Sequence, residues 1–155
     1  MPAELEEAII VTSIVETIYK CCMNISETIR TKNPTEIGKT LGTDNTSGDH
    51  IKYLDKYSHD ILIEGLEKND YIYGIISEEY SDIMYTKSAD SHYIVAFDPI
   101  DGSNNIEFNI TTGTIFAIYK LDENKKIRDG NSIITSGYCL YGGTTEFIYY
   151  DLETH

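Results

Sequence analysis

The run Ile94-Val95-Ala96-Phe97-Asp98-Pro99-Ile100-Asp101-Gly102-Ser103-Asn104-Asn105 changes character along its length: four apolar residues, two acids spaced by Pro and Ile, then small polar residues. Residues 93–97 read as a strand, so the acids stand at a strand end, where α/β folds place their sites. Pro99 fixes φ and favours a tight turn that brings Asp98 and Asp101 to one side, with the Ile100 carbonyl left as a further oxygen. Hard oxygen ligands of this kind suit Mg²⁺ or Mn²⁺. The stretch Gly102 to Asn105 can present backbone N–H groups at the start of a helical turn, a usual way of holding a phosphate. A capped turn on a strand end accounts for the same residues without any chemistry.

A second acidic cluster, Ser77-Glu78-Glu79, follows the apolar pair Ile75-Ile76. Consecutive side chains on a strand point to opposite faces, so Glu78 and Glu79 are expected to do different jobs, one of them on a metal. Further runs rich in Ile, Val, Tyr and Thr mark strands over residues 71–77, 111–121, 132–141 and 146–152, with an exposed, charged connection over 121–131. Upstream the period changes. From Glu4 to Arg30 the residues Ile10, Ile14, Ile18, Cys22, Ile25 and Ile29 recur at three and four, which predicts an amphipathic helix stopped before Pro34.

Residues 32–48 lack an apolar period and read as a long surface loop, a candidate lid. A second helix is expected after Gly48, running to about Lys68. On it Ile51, Leu54, Ser58, Ile61, Leu62 and Leu66 fall in an arc of roughly 140°. Asp55 lies inside that arc, whereas Asp49, Lys52, Lys56 and Asp60 face the other way. An acid turned inward needs a cation, a metal, a proton or a backbone donor. Helices first and strands afterwards imply an α/β (α+β layered) domain, with amphipathic helices packed on a mixed sheet.

At 155 residues the chain is long enough for one domain that buries roughly 70% of its unfolded surface. Twelve Lys and Arg against 26 Asp and Glu give a net charge of −14, which argues against nucleic acid and anionic membranes as partners. In so acidic a chain a phosphate can bind beside four carboxylates only if divalent cations reverse the local sign. The first residues carry acids where a targeting peptide carries Lys or Arg, so a cytoplasmic location is expected. Cys21, Cys22 and Cys139 form neither a metal motif nor a disulfide framework and read as reduced, buried thiols.

Phe97 to Ile106 followed by Gly113-Thr114-Ile115-Phe116-Ala117-Ile118-Tyr119 resembles class I fructose-1,6-bisphosphatase. Ser47-Gly48-Asp49-His50-Ile51-Lys52-Tyr53-Leu54-Asp55, Ser77-Glu78-Glu79 and Ser136-Gly137-Tyr138-Cys139-Leu140-Tyr141-Gly142 agree in order and nearly in spacing. The Asp-Pro-Ile-Asp-Gly segment alone is shared with inositol monophosphatases; the other segments select the bisphosphatase branch. The resemblance implies that Glu78, Asp98, Asp101 and the Ile100 carbonyl are metal ligands and that Asp49 serves a further metal or the substrate-side network. It implies that Asp55 and Glu79 orient and deprotonate the attacking water. It further implies that Asp101, Gly102, Ser103 and Asn104 meet the 1-phosphate of a sugar bisphosphate, with Mg²⁺ (or Mn²⁺) as cofactor.

By the same resemblance residues 1–155 correspond to the N-terminal domain. The half carrying one more metal-binding Glu and the sugar-gripping residues is missing, and a homo-oligomer is expected of the full-length form. Ala8-Ile9-Ile10, His92 and Asn131 stand where the family's AMP pocket has a Thr-Gly-Glu turn, a Lys and an Arg, which argues against AMP regulation. Two other uses fit the same residues: a non-catalytic metal- or phosphate-binding or subunit-interaction module, and a sedoheptulose-1,7-bisphosphatase or inositol-phosphate phosphatase.

Overall fold

A computed structural model describes residues 2–44, 50–127 and 129–151. Helix α1 (Ala3–Thr31) buries Ile14, Ile18, Cys22 and Ile25 completely, while Ile10 and Ile29 pack at the margin of the same core. Each isoleucine so buried contributes about 2–3 kcal/mol. Glu4 and Glu6 in its first turn and Arg30 in its last complement the helix dipole. By length and composition α1 is apolar enough to cross a membrane, but its apolar stripe forms the core of this domain.

The segment expected to be a loop over 32–48 has more structure than its composition suggests. Asn33 accepts from the Thr35 N–H at 2.9 Å and caps a single helical turn, α2 (Pro34–Ile37), whose Ile37 is buried. Strand β1 (Thr40–Asp44) then pairs antiparallel with β2 (His50–Lys52). One anchoring Ile and a backbone ladder decide the matter here, and neither leaves a periodic apolar pattern. The remainder of the candidate lid and Asp49 lie outside the described residues.

Helix α3 (Tyr53–Leu66) starts later than the expected position after Gly48 and stops before Lys68, because β2 occupies its upstream part. Leu54, Asp55, Ser58, Leu62 and Leu66 are buried as the arc requires, and Lys56 and Asp60 pair on the outside at 2.9 Å. Lys52 is a correction: it was expected to face outward and is buried. As the residue capping α3 it has extended backbone, so helical arithmetic does not apply to it.

Apart from the β1–β2 pair, the described strands form one six-stranded mixed sheet in the order β4-β3-β5-β6-β7-β8. They are β3 (Ile72–Ser77), β4 (Met84–Tyr85), β5 (Tyr93–Asp101), β6 (Thr112–Lys120), β7 (Ile133–Tyr141) and β8 (Thr145–Asp151). Only β3 and β5 run parallel; the short edge strand β4 was not foreseen. Val95, Phe97, Phe116, Ile118 and Cys139 face the helices, and the Phe116 and Phe147 rings stack at 5.6 Å. On the other face Ile115, Tyr138 and Ile148 stand in one cross-strand row and are 48, 39 and 46% exposed. Leu121, placed by its sequence context in an exposed connection, is buried and donates its N–H to the His92 carbonyl at 2.7 Å. All three cysteines are free and buried.

Candidate active site

The segment Asp98 to Asp101 remains in β5, where a tight turn was expected. Three residue steps from Asp98 to Asp101 oppose two on β6, from Ile115 to Gly113, so the segment is a bulge. Pro99 has no N–H to give the ladder, and a bulge is one of the few places where a paired strand tolerates it. Across the bulge the Asp101 charge still acts on Asp98. The Ile100 N–H donates to Asp98 Oδ1 at 3.0 Å, and the Pro99 carbonyl accepts from Thr114 Oγ1 at 2.8 Å.

Burial, a hydrogen bond that the protonated carboxyl donates to the side chain of Glu78, and the charges of Glu78 and Asp101 push the Asp98 carboxyl up to about 7, against the opposing pull of the Ile100 N–H. The terminus of β3 and the bulge of β5 are thereby brought together, as the Glu78 N–H, donating to the Phe97 carbonyl at 3.1 Å, also shows. Glu78 and Glu79 sit in a turn just past β3, with Glu78 exposed and Glu79 half-buried, and the Glu79 N–H donates to Ser77 Oγ at 3.3 Å. Their surroundings differ, but a turn separates them and not the alternation of a strand, on which the expectation of different jobs rests.

Asp55 is 4% exposed, and its Oδ2 accepts from the Lys52 N–H at 2.8 Å. The backbone donor is one of the partners that an inward acid was expected to need. Burial still pushes the carboxyl above its ordinary range, resisted by the Lys52 N–H, the Ser103 side chain and the Lys52 charge, and helped by the Glu78 charge. Asp55, Glu78, Asp98 and Asp101 therefore share one electrostatic neighbourhood.

After the bulge, Gly102 takes φ +78°, open to glycine at little cost, and starts a 3-10 helix over Ser103–Phe108. A Cβ there would lie 2.9 Å from Asn105 Nδ2. Gly102 and Ser103 are half-buried, Asp101 and Asn104 exposed, so this small polar turn opens to solvent beside the acids, as its sequence suggested.

Two residues escaped sequence reasoning. Lys52 Nζ reaches Glu107 Oε1 at 3.0 Å and the Ser103 carbonyl at 3.4 Å, tying the 3-10 helix to the capping residue of α3. His59 is buried with Nδ1 2.9 Å from Ser77 Oγ, and its ring lies 4.5 Å from that of Tyr80. Burial lowers its pKa, so it is a neutral strut between α3 and the end of β3. The signal for both was proximity to Asp55 and Ser58 in the chain, which periodicity alone could not weigh.

Among the described residues no three Asp, Glu, His or Cys side chains are grouped closely enough to hold a metal ion by themselves. The donor set nevertheless fits a hard divalent cation: carboxylate and carbonyl oxygens only, with the Glu78 carboxylate close enough to oppose the ionisation of Asp98.

A sequence profile described as the N-terminal domain of fructose-1-6-bisphosphatase matches residues 3–153. The chain belongs to the fructose-1,6-bisphosphatase family. A Schizosaccharomyces pombe fructose-1,6-bisphosphatase is 37% identical over 130 residues, covering 80% of this chain and 37% of that protein. The class 1 enzyme of Halorhodospira halophila is 31% identical over 143 residues, covering 86% and 42%. The chain thus spans about two-fifths of these relatives' length. Among solved structures, the holo form of Leishmania major fructose-1,6-bisphosphatase superimposes with a TM-score of 0.84 at 23% identity, over 97% of this chain and 49% of that one. That likeness shows the family's fold, including the helix layer and mixed sheet read from the sequence.

Proposed function

We propose that this chain provides the metal- and 1-phosphate-binding part of a phosphatase that hydrolyses fructose 1,6-bisphosphate to fructose 6-phosphate and phosphate. The observation that carries the reading is the convergence of Asp55, Glu78, Asp98 and Asp101 beside the Gly102–Ser103 turn, in a chain of this family. Glu78, Asp98, Asp101 and the Ile100 carbonyl would hold Mg²⁺ or Mn²⁺, together with Asp49. When bound, the cation neutralises phosphoryl oxygens and lowers the pKa of water. Asp55, inward and raised in proton affinity by burial, suits a group that takes a proton from the attacking water. Glu79, half-buried just past β3, serves the same water. The backbone of Gly102 and Ser103, with Asn104 beside them, positions the phosphate, and positioning supplies most of the rate in phosphoryl transfer.

In this reading the sugar and its distal phosphate are gripped by the part of the relatives that this chain does not span. The location proposed is cytoplasmic, and the assembly proposed is a homo-oligomer. The test combines the 155-residue chain with excess Mg²⁺ and fructose 1,6-bisphosphate and follows phosphate release, alone and after fusion to the remaining half of the Schizosaccharomyces pombe relative. Negligible release alone and turnover in the fusion support the reading. Asp55→Asn in the fusion should slow turnover by two or more orders of magnitude, about the worth of general-base catalysis, while Mn²⁺ affinity stays within about twofold. Robust turnover by the monomeric chain alone, or loss of Mn²⁺ affinity in Asp55→Asn, would overturn these assignments.

A further inference from the structure

The Asp98–Asp101 bulge is clamped from one side by two hydroxyls that the proposed chemistry does not use. Thr114, fully buried on β6, has its Oγ1 2.8 Å from the Pro99 carbonyl and 2.6 Å from the hydroxyl of Tyr141, itself 5% exposed. A carbonyl only accepts, so the single Thr114 hydroxyl hydrogen goes to Pro99. The Tyr141 hydroxyl must then donate to Thr114. The direction of the relay is thus fixed: Tyr141 to Thr114 to Pro99, each link strengthening the next.

The Pro99 carbonyl and the Ile100 N–H belong to one planar, trans peptide unit, so they point in opposite directions. One end of that plane is held by Thr114, and the other donates to Asp98 Oδ1 at 3.0 Å. Rotating the plane would break both bonds together. Proline's own φ is fixed, so any part of that rotation that the φ of Ile100 does not take up passes to the adjoining unit and re-aims the Ile100 carbonyl.

We propose that Thr114 and Tyr141 are positioning residues, which set the aim of the Asp98 carboxylate and the Ile100 carbonyl through the Pro99–Ile100 peptide plane. The inference rests on the reading of Asp98 and Ile100 as metal ligands. Core packing alone does not explain the pair: a valine would fill the place of Thr114 and a phenylalanine that of Tyr141 with nearly the same shape. The Cys22 thiol meets both hydroxyls and the Cys139 thiol meets that of Tyr141, but thiols are weak partners, and the strong acceptor that ends the line is the Pro99 carbonyl of the bulge.

The experiment uses the full chain as wild type, Thr114→Val, Thr114→Ser and Tyr141→Phe. Amide hydrogen exchange is read at Ile100, with Val95 and Ile118 as core references, and Mn²⁺ affinity is measured by titration with the metal alone. Thr114→Val should speed exchange at Ile100 by about tenfold relative to the references and weaken Mn²⁺ binding by about tenfold, the worth of one buried hydrogen bond. Tyr141→Phe should give a smaller change of the same sign, and Thr114→Ser should restore both readouts to within about twofold of wild type. Equal acceleration at Ile100, Val95 and Ile118 would mean that Thr114 merely stabilises the core, and would overturn the proposal. So would an unchanged Ile100, or a failure of serine to rescue. If the wild type binds no Mn²⁺, the metal reading fails on its own, and the exchange at Ile100 still decides whether the hydroxyls set the peptide plane.

Discussion

Replacing Asp98 by Asn should stabilise the metal-free protein by an amount that grows as the pH rises from about 4 and is complete above about 7. The carboxyl holds its proton up to about pH 7, against 3.8 for an ordinary aspartate, chiefly through burial and the neighbouring Glu78. Ten-fold in proton affinity is about 1.36 kcal/mol, so the cost of ionising Asp98 in the fold has a ceiling of about 4 kcal/mol. Solvent reaches this half-buried group, and screening brings the figure to roughly 2 kcal/mol. Between pH 4 and 7 the native state keeps a proton that the unfolded chain has released, so stability falls as pH rises through that window. Asn carries no charge at any pH and keeps an Oδ1 for the Ile100 N–H. In chelator, Asp98→Asn should therefore melt about 4–8 °C above wild type at pH 8 and within about 2 °C of it at pH 4, for a domain of this size. Excess Mg²⁺ at pH 8 should raise the wild type and leave the variant nearly unmoved. A variant that melts lower than wild type at pH 8, or differs from it equally at both values, would refute the reasoning.

Lys52→Met should cost about 1–2 kcal/mol in urea denaturation, because a buried cation and its link to Ser103 and Glu107 are lost. Lys56→Met, which breaks the exposed pair with Asp60, should cost under about 0.5 kcal/mol. Gly102→Ala should destabilise by about 1 kcal/mol from its positive φ and should displace Asn105, seen as a shift of the Asn105 side-chain amide resonances. The exposed row Ile115-Tyr138-Ile148 should make the isolated chain self-associate despite its charge of −14, and Ile148→Lys should lower the mass measured by light scattering toward the monomer.

Where apolar period and burial coincide, the fold was legible. The stripe on α1 and the arc on α3 both depend on many side chains facing one core, and each repeats its signal over several turns. The strands from β3 to β8 were visible for the same reason, through their Ile, Val and Tyr, apart from the two-residue β4. What failed rests on single residues or on backbone: the α2 cap at Asn33, the β1–β2 ladder, and the bulge that replaced a turn at Pro99. A proline announces that the ladder is interrupted; it does not say whether the chain turns or bulges, since both satisfy its missing N–H.

The site shows the same division. Asp55 was legible because an acid within an apolar arc violates a pattern, and violations of pattern are where function is stored. Lys52 obeyed the arithmetic and was misread, because the strand before it moved the helix start past it. Thr114 and Tyr141 violated nothing: a Thr and a Tyr in β-strands are ordinary by propensity, and only the direction of their hydrogen bonds sets them apart. Sequence thus exposes the groups that carry charge into the site. The uncharged groups that aim them become visible only once donors and acceptors can be counted in space, and for that reason the Thr114 variants test the structure where the Asp55 and Asp98 variants test the reading of the sequence.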